Sequence, residues 1–189
     1  MERRTVMMAA AATSLTLLSG CTTSKGTSET APQKRAEIDT SVDATLATLY
    51  SQVSGSKELA AKSRGILVFP KIYAAGLGFG GEYGEGALKV DGFSVGYYRT
   101  SSLTWGFHAG AQSKALIMMF MTQEALDKFR ASNGWTAGAD ASVAVIKTGA
   151  QGTIDLASAT APVSAFALTN AGLMAGVTID GTKVTKLDL

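Results

Sequence analysis

A serine and the single histidine are the residues whose types suggest nucleophilic catalysis. Gly92, Ser94 and Gly96 stand at the spacing of a nucleophile elbow, which needs a strand, a strained turn carrying the serine, and then a helix. Ser94 instead falls in a predicted strand directly after an Asp91-Gly92 turn. The only available base, His108, lies among Trp, Gly, Phe and Ala residues typical of a strand. A serine hydrolase is therefore only a remote alternative.

Three glycines at the spacing Gly76-x-Gly78-x-x-Gly81 match the phosphate-binding turn of a dinucleotide fold. Such a turn must open a helix whose N–H groups face the pyrophosphate. Gly84 and Gly86 follow closely, and this density of glycine disfavours a helix. We therefore predict no cofactor. We expect the glycines to serve a curved sheet with close backbone approach, so that valine at Gly78 or Gly81 would destabilise the fold.

Metal binding has little support in this composition. One histidine and one cysteine exclude the usual zinc sites. A hard cation would need carboxylates such as Glu82, Glu85 and Asp140, which do not follow an EF-hand spacing. We predict no metal and assign these acids to turn solvation and local pairing. Asp140 is expected to have a lysine or backbone amide as partner, because an unpaired carboxylate in an apolar strand is costly.

Four basic residues form the main candidate for ligand binding. Lys57, Lys62, Arg64 and Lys71 share their window with one acid, Glu58. On a short helix and the strand that follows, their charges could converge on an anion, although a solvated helix face is the plainer interpretation. The net charge of the chain is only +2, which argues against a general nucleic-acid binder.

The amino terminus looks like a bacterial lipoprotein leader. Two arginines at positions 3 and 4 precede an apolar segment from 6 to 18, and Leu18-Ser-Gly-Cys21 resembles a lipobox. We predict a signal peptide over residues 1–20 and a diacylglyceryl group on Cys21. Thr22 stands where an aspartate would retain the protein at the inner membrane. We therefore expect an outer-membrane anchor facing the periplasm, with surface exposure left open.

Composition divides the rest of the chain into a tether and one domain. Residues 21–35 are rich in polar residues and nearly free of apolar ones, which predicts a flexible tether. Hydrophobic residues recur throughout 36–189, a length that suits one hydrophobic core.

Periodicity predicts about three helices in this domain. Apolar residues at spacings of three and four predict the first helix from Ala36 to Gly55. Ser56 is expected to cap a short second helix that ends at Lys62. Thr122 is expected to cap the third, which stops at Asn133-Gly134.

The remaining segments predict about seven or eight strands. Pro70 is expected to end a strand at 66–69, and Asp91-Gly92 to turn a hairpin between 87–90 and 93–99. The apolar run 115–121, with Met118, Met119 and Met121 as core residues, predicts a strand buried on both faces. Other strands are predicted at 105–120, 135–146, 163–168, 173–179 and 183–187. Because connections are short, we predict an α+β single domain with a curved, largely antiparallel sheet or partly closed barrel.

Four motifs of glycine and apolar residues follow one another along the chain. They are Gly65-Ile-Leu-Val-Phe-Pro70, Ala75-Gly76, Gly81-x-Tyr83-Gly84-x-Gly86 and Gly172-Leu-Met-Ala-Gly-Val-Thr-Ile-Asp-Gly181. Together they resemble the SYLF-domain family, a phospholipid-binding module that occurs in bacteria as short lipoproteins. The resemblance covers about residues 36 to 189.

This resemblance implies a non-enzymatic protein that binds phospholipid surfaces or headgroups, preferring anionic ones, with Lys57, Lys62, Arg64 and Lys71 as the headgroup site. Some SYLF domains also use an N-terminal amphipathic segment. Our chain departs from them, because its first helix carries acids, and the acyl anchor is expected to replace that segment. The alternative is an envelope structural or interaction module whose glycine-rich face meets another protein.

Overall fold

The computed structural model describes residues 30–106, 112–146, 154, 161–169, 172–173 and 179–189, with the backbone alone for 75–79, 103–106 and 112. The predicted leader, Cys21, His108 and most of the predicted strand 173–179 lie outside these residues.

The described residues form three helices and eight strands. The helices are α1 (Ala31–Gln52), α2 (Ser56–Lys62) and α3 (Gln123–Ala131). The strands are β1 (Gly65–Val90), β2 (Phe93–Gly106), β3 (Gln112–Phe120), β4 (Trp135–Thr136), β5 (Val143–Val145), β6 (Val163–Thr169), β7 (Gly172–Leu173) and β8 (Lys183–Lys186).

The strands form one curled sheet in the order β4-β8-β2-β1-β3-β6-β5, with β7 beside β6. Pairing is antiparallel between the described strands, except for the parallel pair β5 and β6. The sheet closes into a half-barrel, with α1 and α2 on one face and α3 on the other. The predicted α+β domain with a curved, largely antiparallel sheet is confirmed.

Strand β1 runs unbroken for 26 residues and pairs with two neighbours. Its first half pairs with β3 and its second half with β2. The prediction that Pro70 ends a strand is wrong. A bulge between Phe69 and Ile72 shifts the register there. A bulge tolerates proline because its extra residue does not take part in the hydrogen-bond ladder.

Two glycines let the halves of β1 approach each other face to face. A Cβ on Gly86 would lie 1.9 Å from the Val68 carbonyl oxygen, and one on Gly84 would lie 2.7 Å from the Lys71 carbonyl oxygen. Any side chain larger than hydrogen would overlap the facing backbone. The predicted close approach of backbones is confirmed at these two glycines.

The expectation for Gly81 is wrong. The nearest neighbour of a Cβ built there is the Ser102 carbonyl oxygen at 4.0 Å, and Gly81 is exposed. The surroundings of Gly78 lie outside the described side chains. Density of glycine in the sequence therefore indicates the close approach but not which glycine makes it.

Both faces of the central strands are buried. Leu116, Met118 and Phe120 of β3 pack on the α3 side, whereas Ile117 and Met119 pack on the α1 side. The α3 side contains an aromatic cluster of Tyr98, Phe120, Phe129 and Trp135, with ring centroids 4.9 to 6.4 Å apart. The predicted burial on both faces is confirmed for residues 116–120, whereas Ala115 and Met121 at the ends of the run are partly buried.

Helix α1 begins at Ala31, five residues before the predicted start at Ala36. The Gln33 side chain accepts hydrogen bonds from the Thr30 N–H at 3.1 Å and hydroxyl at 2.9 Å, and Pro32 presets the first turn. The predicted tether therefore ends earlier than residue 35, because local capping outweighs its polar composition.

Ser56 does not cap α2 as predicted. Gly55 occupies the cap position with φ of +84°, and Ser56 is the first helical residue. The buried Ser56 hydroxyl instead donates to the carbonyls of Val53 at 2.6 Å and Leu49 at 3.2 Å. It therefore satisfies the carboxyl end of α1.

The predicted cap of α3 is confirmed, since the Ala125 N–H donates to the Thr122 hydroxyl at 3.2 Å. The helix ends at Ala131, just before the predicted Asn133-Gly134 stop.

The predicted hairpin turn is also confirmed. Asp91 and Gly92 both have positive φ, of 51° and 85°, as a type I′ turn requires. Strand β2 then continues to Gly106, so Trp105 belongs to β2 and not to the strand predicted at 105–120.

The strand predicted at 135–146 is wrong, because a turn divides it into β4 and β5. Gly138 adopts φ of +82°, and the Asp140 carboxylate accepts the Thr136 N–H at 2.6 Å. A short acid that holds a nearby backbone amide stabilises a turn. The expected amide partner of Asp140 is thus confirmed, but in an exposed turn.

Candidate functional site

Polar contacts fasten α1 to the β1–β2 hairpin. Lys34 pairs with Glu85 of β1 at 2.9 Å, and Asp43 pairs with Lys89 two turns later. Along the same side, α1 buries a row of apolar residues against the sheet, namely Ile38, Val42, Leu46 and Leu49. Asp43 therefore binds the sheet rather than lying on a free face of the helix.

Ser94 belongs to this attachment. The Asp39 carboxylate accepts the Ser94 hydroxyl at 2.7 Å and the Tyr97 hydroxyl at 2.9 Å. Burial, and then the hydrogen bond to Asp39, raise the pKa of Tyr97. Since the Ser94 hydroxyl donates its hydrogen bond to a helix carboxylate, we assign this serine to the packing of α1 on the sheet. The predicted base, His108, lies outside the described residues.

A cleft of about 210 Å³ opens between the first turns of α1 and the bulge of β1. We call it the α1 cleft. Its lining comprises Lys34, Glu37, Ile38, Ser41, Pro70, Lys71, Tyr73, Tyr83, Gly84 and Glu85. Tyr73 and Tyr83 are 56% and 46% exposed, among the few large apolar or aromatic side chains on the described surface. The close approach of Gly84 to β1's own backbone shapes this cleft.

Glu85 organises one wall of the α1 cleft. Its carboxylate accepts the Tyr83 hydroxyl at 2.6 Å and a Lys34 N–H at 2.9 Å. Burial alone would raise the pKa of Glu85, but these two hydrogen bonds and the Lys34 charge hold the pKa below its usual value. The hydrogen bond between Tyr83 and Glu85 raises the pKa of Tyr83. Glu85 is therefore an ionised and already satisfied acid at neutral pH.

Three of the predicted basic residues lie on α2 or directly after it. Ser56 and Leu59 are buried, so the outward side of α2 carries Lys57 and Lys62, and Arg64 follows in the bend before β1. We call Lys57, Lys62 and Arg64 the α2 corner. All three are exposed, and within the described part of the chain they form no ion pair or side-chain hydrogen bond.

Lys71 does not join the α2 corner. Seven residues of extended strand separate it from Arg64, a distance of about 20 Å. It lies instead in the α1 cleft, exposed and without an ion-pair partner among the described residues. The four predicted cations thus occupy two separate surfaces.

Glu82 and Glu85 are paired, but the expectation of turn positions and local partners is wrong, because both lie within β1 and their ion-pair partners are remote in the sequence. Glu82 pairs with Lys114 at 2.8 Å and accepts the Ser102 hydroxyl at 3.1 Å, while Glu85 pairs with Lys34. In the ranges that the structure describes, histidine, cysteine and acidic side chains form no group of three that could hold a metal ion. Over the same residues, α1 to α3 include no helix with the length and hydropathy to cross a bilayer.

Comparison with known families adds one match. Residues 101–188 match the Ysc84 family, described as Las17-binding protein actin regulator. This part of the chain belongs to the Ysc84 (SYLF) family. The predicted family is therefore confirmed, and the family is not one of enzymes. No curated protein matches the chain.

The SYLF match begins inside β2 and ends just after β8. It therefore covers β3, α3 and the strands that complete the sheet. Both the α1 cleft and the α2 corner precede the matched residues. The match therefore concerns the second part of the sheet and α3, and the residues of both surfaces lie outside it.

The sequence predicts little of the α1 cleft. The composition predicts that Lys34 lies in the tether, whereas α1 already begins at Ala31. The signal that could have found the helix start is Thr30 followed by Pro32 and Gln33. Nothing local in the sequence indicates that Lys34 meets Glu85.

Proposed function

We propose that the protein is a non-enzymatic, lipid-anchored envelope protein that binds anionic phospholipid surfaces through the α2 corner. The observation that carries this proposal is the absence of partners for Lys57, Lys62 and Arg64 among the described residues, in contrast to Lys34 and Lys89, which are paired. Unpaired cations on one exposed corner attract a surface of negative phosphates. The SYLF framework supports this direction.

The energy of such binding is modest. A basic residue near an anionic membrane contributes roughly 1 kcal/mol, so three supply roughly 3 kcal/mol in low salt. Screening at physiological ionic strength acts over about 8 Å and weakens the attraction. Weak, salt-sensitive binding suits a protein that an acyl chain already holds at the membrane.

Reversing the α2 corner should abolish binding to anionic vesicles. We expect Lys57→Glu, Lys62→Glu and Arg64→Glu, combined in the chain from residue 22 onward, to lower the affinity for phosphatidylglycerol vesicles at least 100-fold. Sedimentation with the vesicles measures this affinity. This chain keeps every helix and strand of the structure. Phosphatidylcholine vesicles provide the neutral reference, and circular dichroism checks the fold.

The matched control reverses Arg130, Lys183 and Lys186, which are also exposed and unpaired within the described ranges. This control changes the net charge by the same amount as the α2 corner variant, and it should retain more affinity for phosphatidylglycerol vesicles than that variant does. Equal sedimentation of the wild type and the α2 corner variant would contradict the proposal and would leave the corner as a solvated helix face.

Anchoring follows from the lipobox-like sequence that ends at Cys21. Intact-mass analysis of the protein from membrane fractions should give a chain that begins at Cys21 and carries acyl groups, and separation of the two membranes should recover it with the outer one. Cys21→Ser should remove the acyl mass and release the chain from that fraction. An unmodified chain cleaved elsewhere would contradict the anchor.

A second candidate function is an envelope interaction module. Phe93 and Val95 are 76% and 48% exposed on β2, beside an open groove that Arg35 and Lys186 also line. Gly84 and Gly86 face β1's own backbone, so a protein partner would meet Phe93 and Val95 rather than these glycines. Failure of the vesicle experiment would favour this function.

A further inference from the structure

The α1 cleft contains one cation and one anion that no described residue neutralises. Lys71 stands on the β1 wall and Glu37 on the α1 wall, and neither forms an ion pair within the described ranges. The remaining charged lining residues, Lys34 and Glu85, neutralise each other at 2.9 Å. The cleft is therefore neutral overall but carries opposite unpaired charges on its two walls.

Two tyrosine rings add a preference for a particular cation. Tyr73 and Tyr83 both line the cleft and are about half exposed. The hydrogen bond from Tyr83 to Glu85 restrains that ring. The negative face of an aromatic ring attracts an ammonium group, and a nearby carboxylate such as Glu37 strengthens the attraction.

The size of the cleft limits what it can admit. Its volume of about 210 Å³ lies below the roughly 300 Å³ at which pockets begin to hold drug-sized ligands. A volume of this size suits a small polar group. The cleft is open on one side, so a group attached to something larger can still enter.

We propose that the α1 cleft binds the phosphate ester of an amino alcohol, of the phosphoethanolamine type. The phosphate would lie at Lys71, and the ammonium would lie between Glu37 and the tyrosine rings. Each end of this ligand neutralises the unpaired charge on one wall of the cleft. A purely anionic ligand would leave its negative charge facing Glu37, and a simple amine would leave Lys71 unpaired.

The same chemistry occurs in a soluble ester and in a phospholipid headgroup. For the headgroup, the inference rests on the proposed membrane function, although on a surface separate from the α2 corner. For the soluble ester, it is independent of that function.

Titration of the chain from residue 22 onward with O-phosphoethanolamine tests the inference. Changes in the tyrosine ring signals by nuclear magnetic resonance should report binding at least tenfold tighter than that of glycerol phosphate or ethanolamine. Lys71→Gln and Glu37→Gln should each weaken it at least tenfold. The matched controls, Lys183→Gln and Glu58→Gln, change the same residue types at exposed positions outside the α1 cleft and should leave it unchanged.

The inference would be overturned if millimolar O-phosphoethanolamine left the tyrosine ring signals unshifted. It would also be overturned if glycerol phosphate or ethanolamine bound as tightly, or if neither Lys71→Gln nor Glu37→Gln weakened binding. The α2 corner variant separates the two proposals, because it should keep O-phosphoethanolamine binding while losing phosphatidylglycerol vesicles. Vesicles containing phosphatidylethanolamine decide the source. If Glu37→Gln lowers sedimentation with them, the ligand is a headgroup; if it lowers only O-phosphoethanolamine binding, the ligand is a soluble ester.

Discussion

Replacing Gly86 by alanine is expected to lower the free energy of unfolding more than any other single substitution proposed for this chain. The new Cβ would lie 1.9 Å from the carbonyl oxygen and 2.8 Å from the carbonyl carbon of Val68, and neither belongs to a side chain that can rotate away. Relief requires the two halves of β1 to separate, which opens the core on both faces. We expect a loss of about 4 kcal/mol or more, measured by urea unfolding followed by circular dichroism.

Gly81→Ala is the matched control, since a Cβ there has its nearest neighbour at 4.0 Å. Alanine in an open strand position should change the free energy of unfolding by less than about 1 kcal/mol. A Gly86→Ala protein with a wild-type urea midpoint would show that the halves of β1 do not touch.

Phe129→Ala should cause the second large loss, about 3 to 5 kcal/mol. Phe129 is 1% exposed and stands at the centre of the aromatic cluster, 4.9 Å from the ring centroids of both Tyr98 and Phe120 and 5.7 Å from that of Trp135. Truncation leaves a cavity between α3 and the sheet that neighbouring rings cannot fill. Urea unfolding and the near-ultraviolet signal of Trp135 measure the effect.

Phe93→Ala provides the comparison at an exposed position. The side chain of Phe93 is 76% exposed, so its removal should change the free energy of unfolding by less than about 0.5 kcal/mol. Similar losses for Phe93→Ala and Phe129→Ala would contradict the assignment of the aromatic cluster to the core.

Elements with a local signal could be predicted from the sequence. The Asp91-Gly92 turn needs only two residues with positive φ, and the doubly buried strand β3 needs only an unbroken apolar run. The cap at Thr122 likewise depends on its own helix. In each case the deciding interactions lie within a few residues of one another.

Features decided by remote contacts could not be predicted in detail. Pro70 ends a strand by local rules, but the bulge that accommodates it depends on the register with β3. Whether Gly81 or Gly86 is crowded depends on where Val68 lies in space. The α1 cleft depends on Lys34 meeting Glu85, and no pattern in either segment specifies that pairing.

The position of β2 in the sheet has a consequence for the nascent chain. Its inner edge is paired by β1 across a two-residue turn, so that hairpin can form as soon as both strands have been synthesised. Its outer edge is paired by β8, where Tyr98 meets Lys186. Between these moments the ribosome adds 80 residues (186 − 106), from the end of β2 at Gly106 to Lys186, the partner of Tyr98. Throughout that interval β2 presents an unsatisfied backbone edge, and the growing chain is then most prone to pair with another copy of itself.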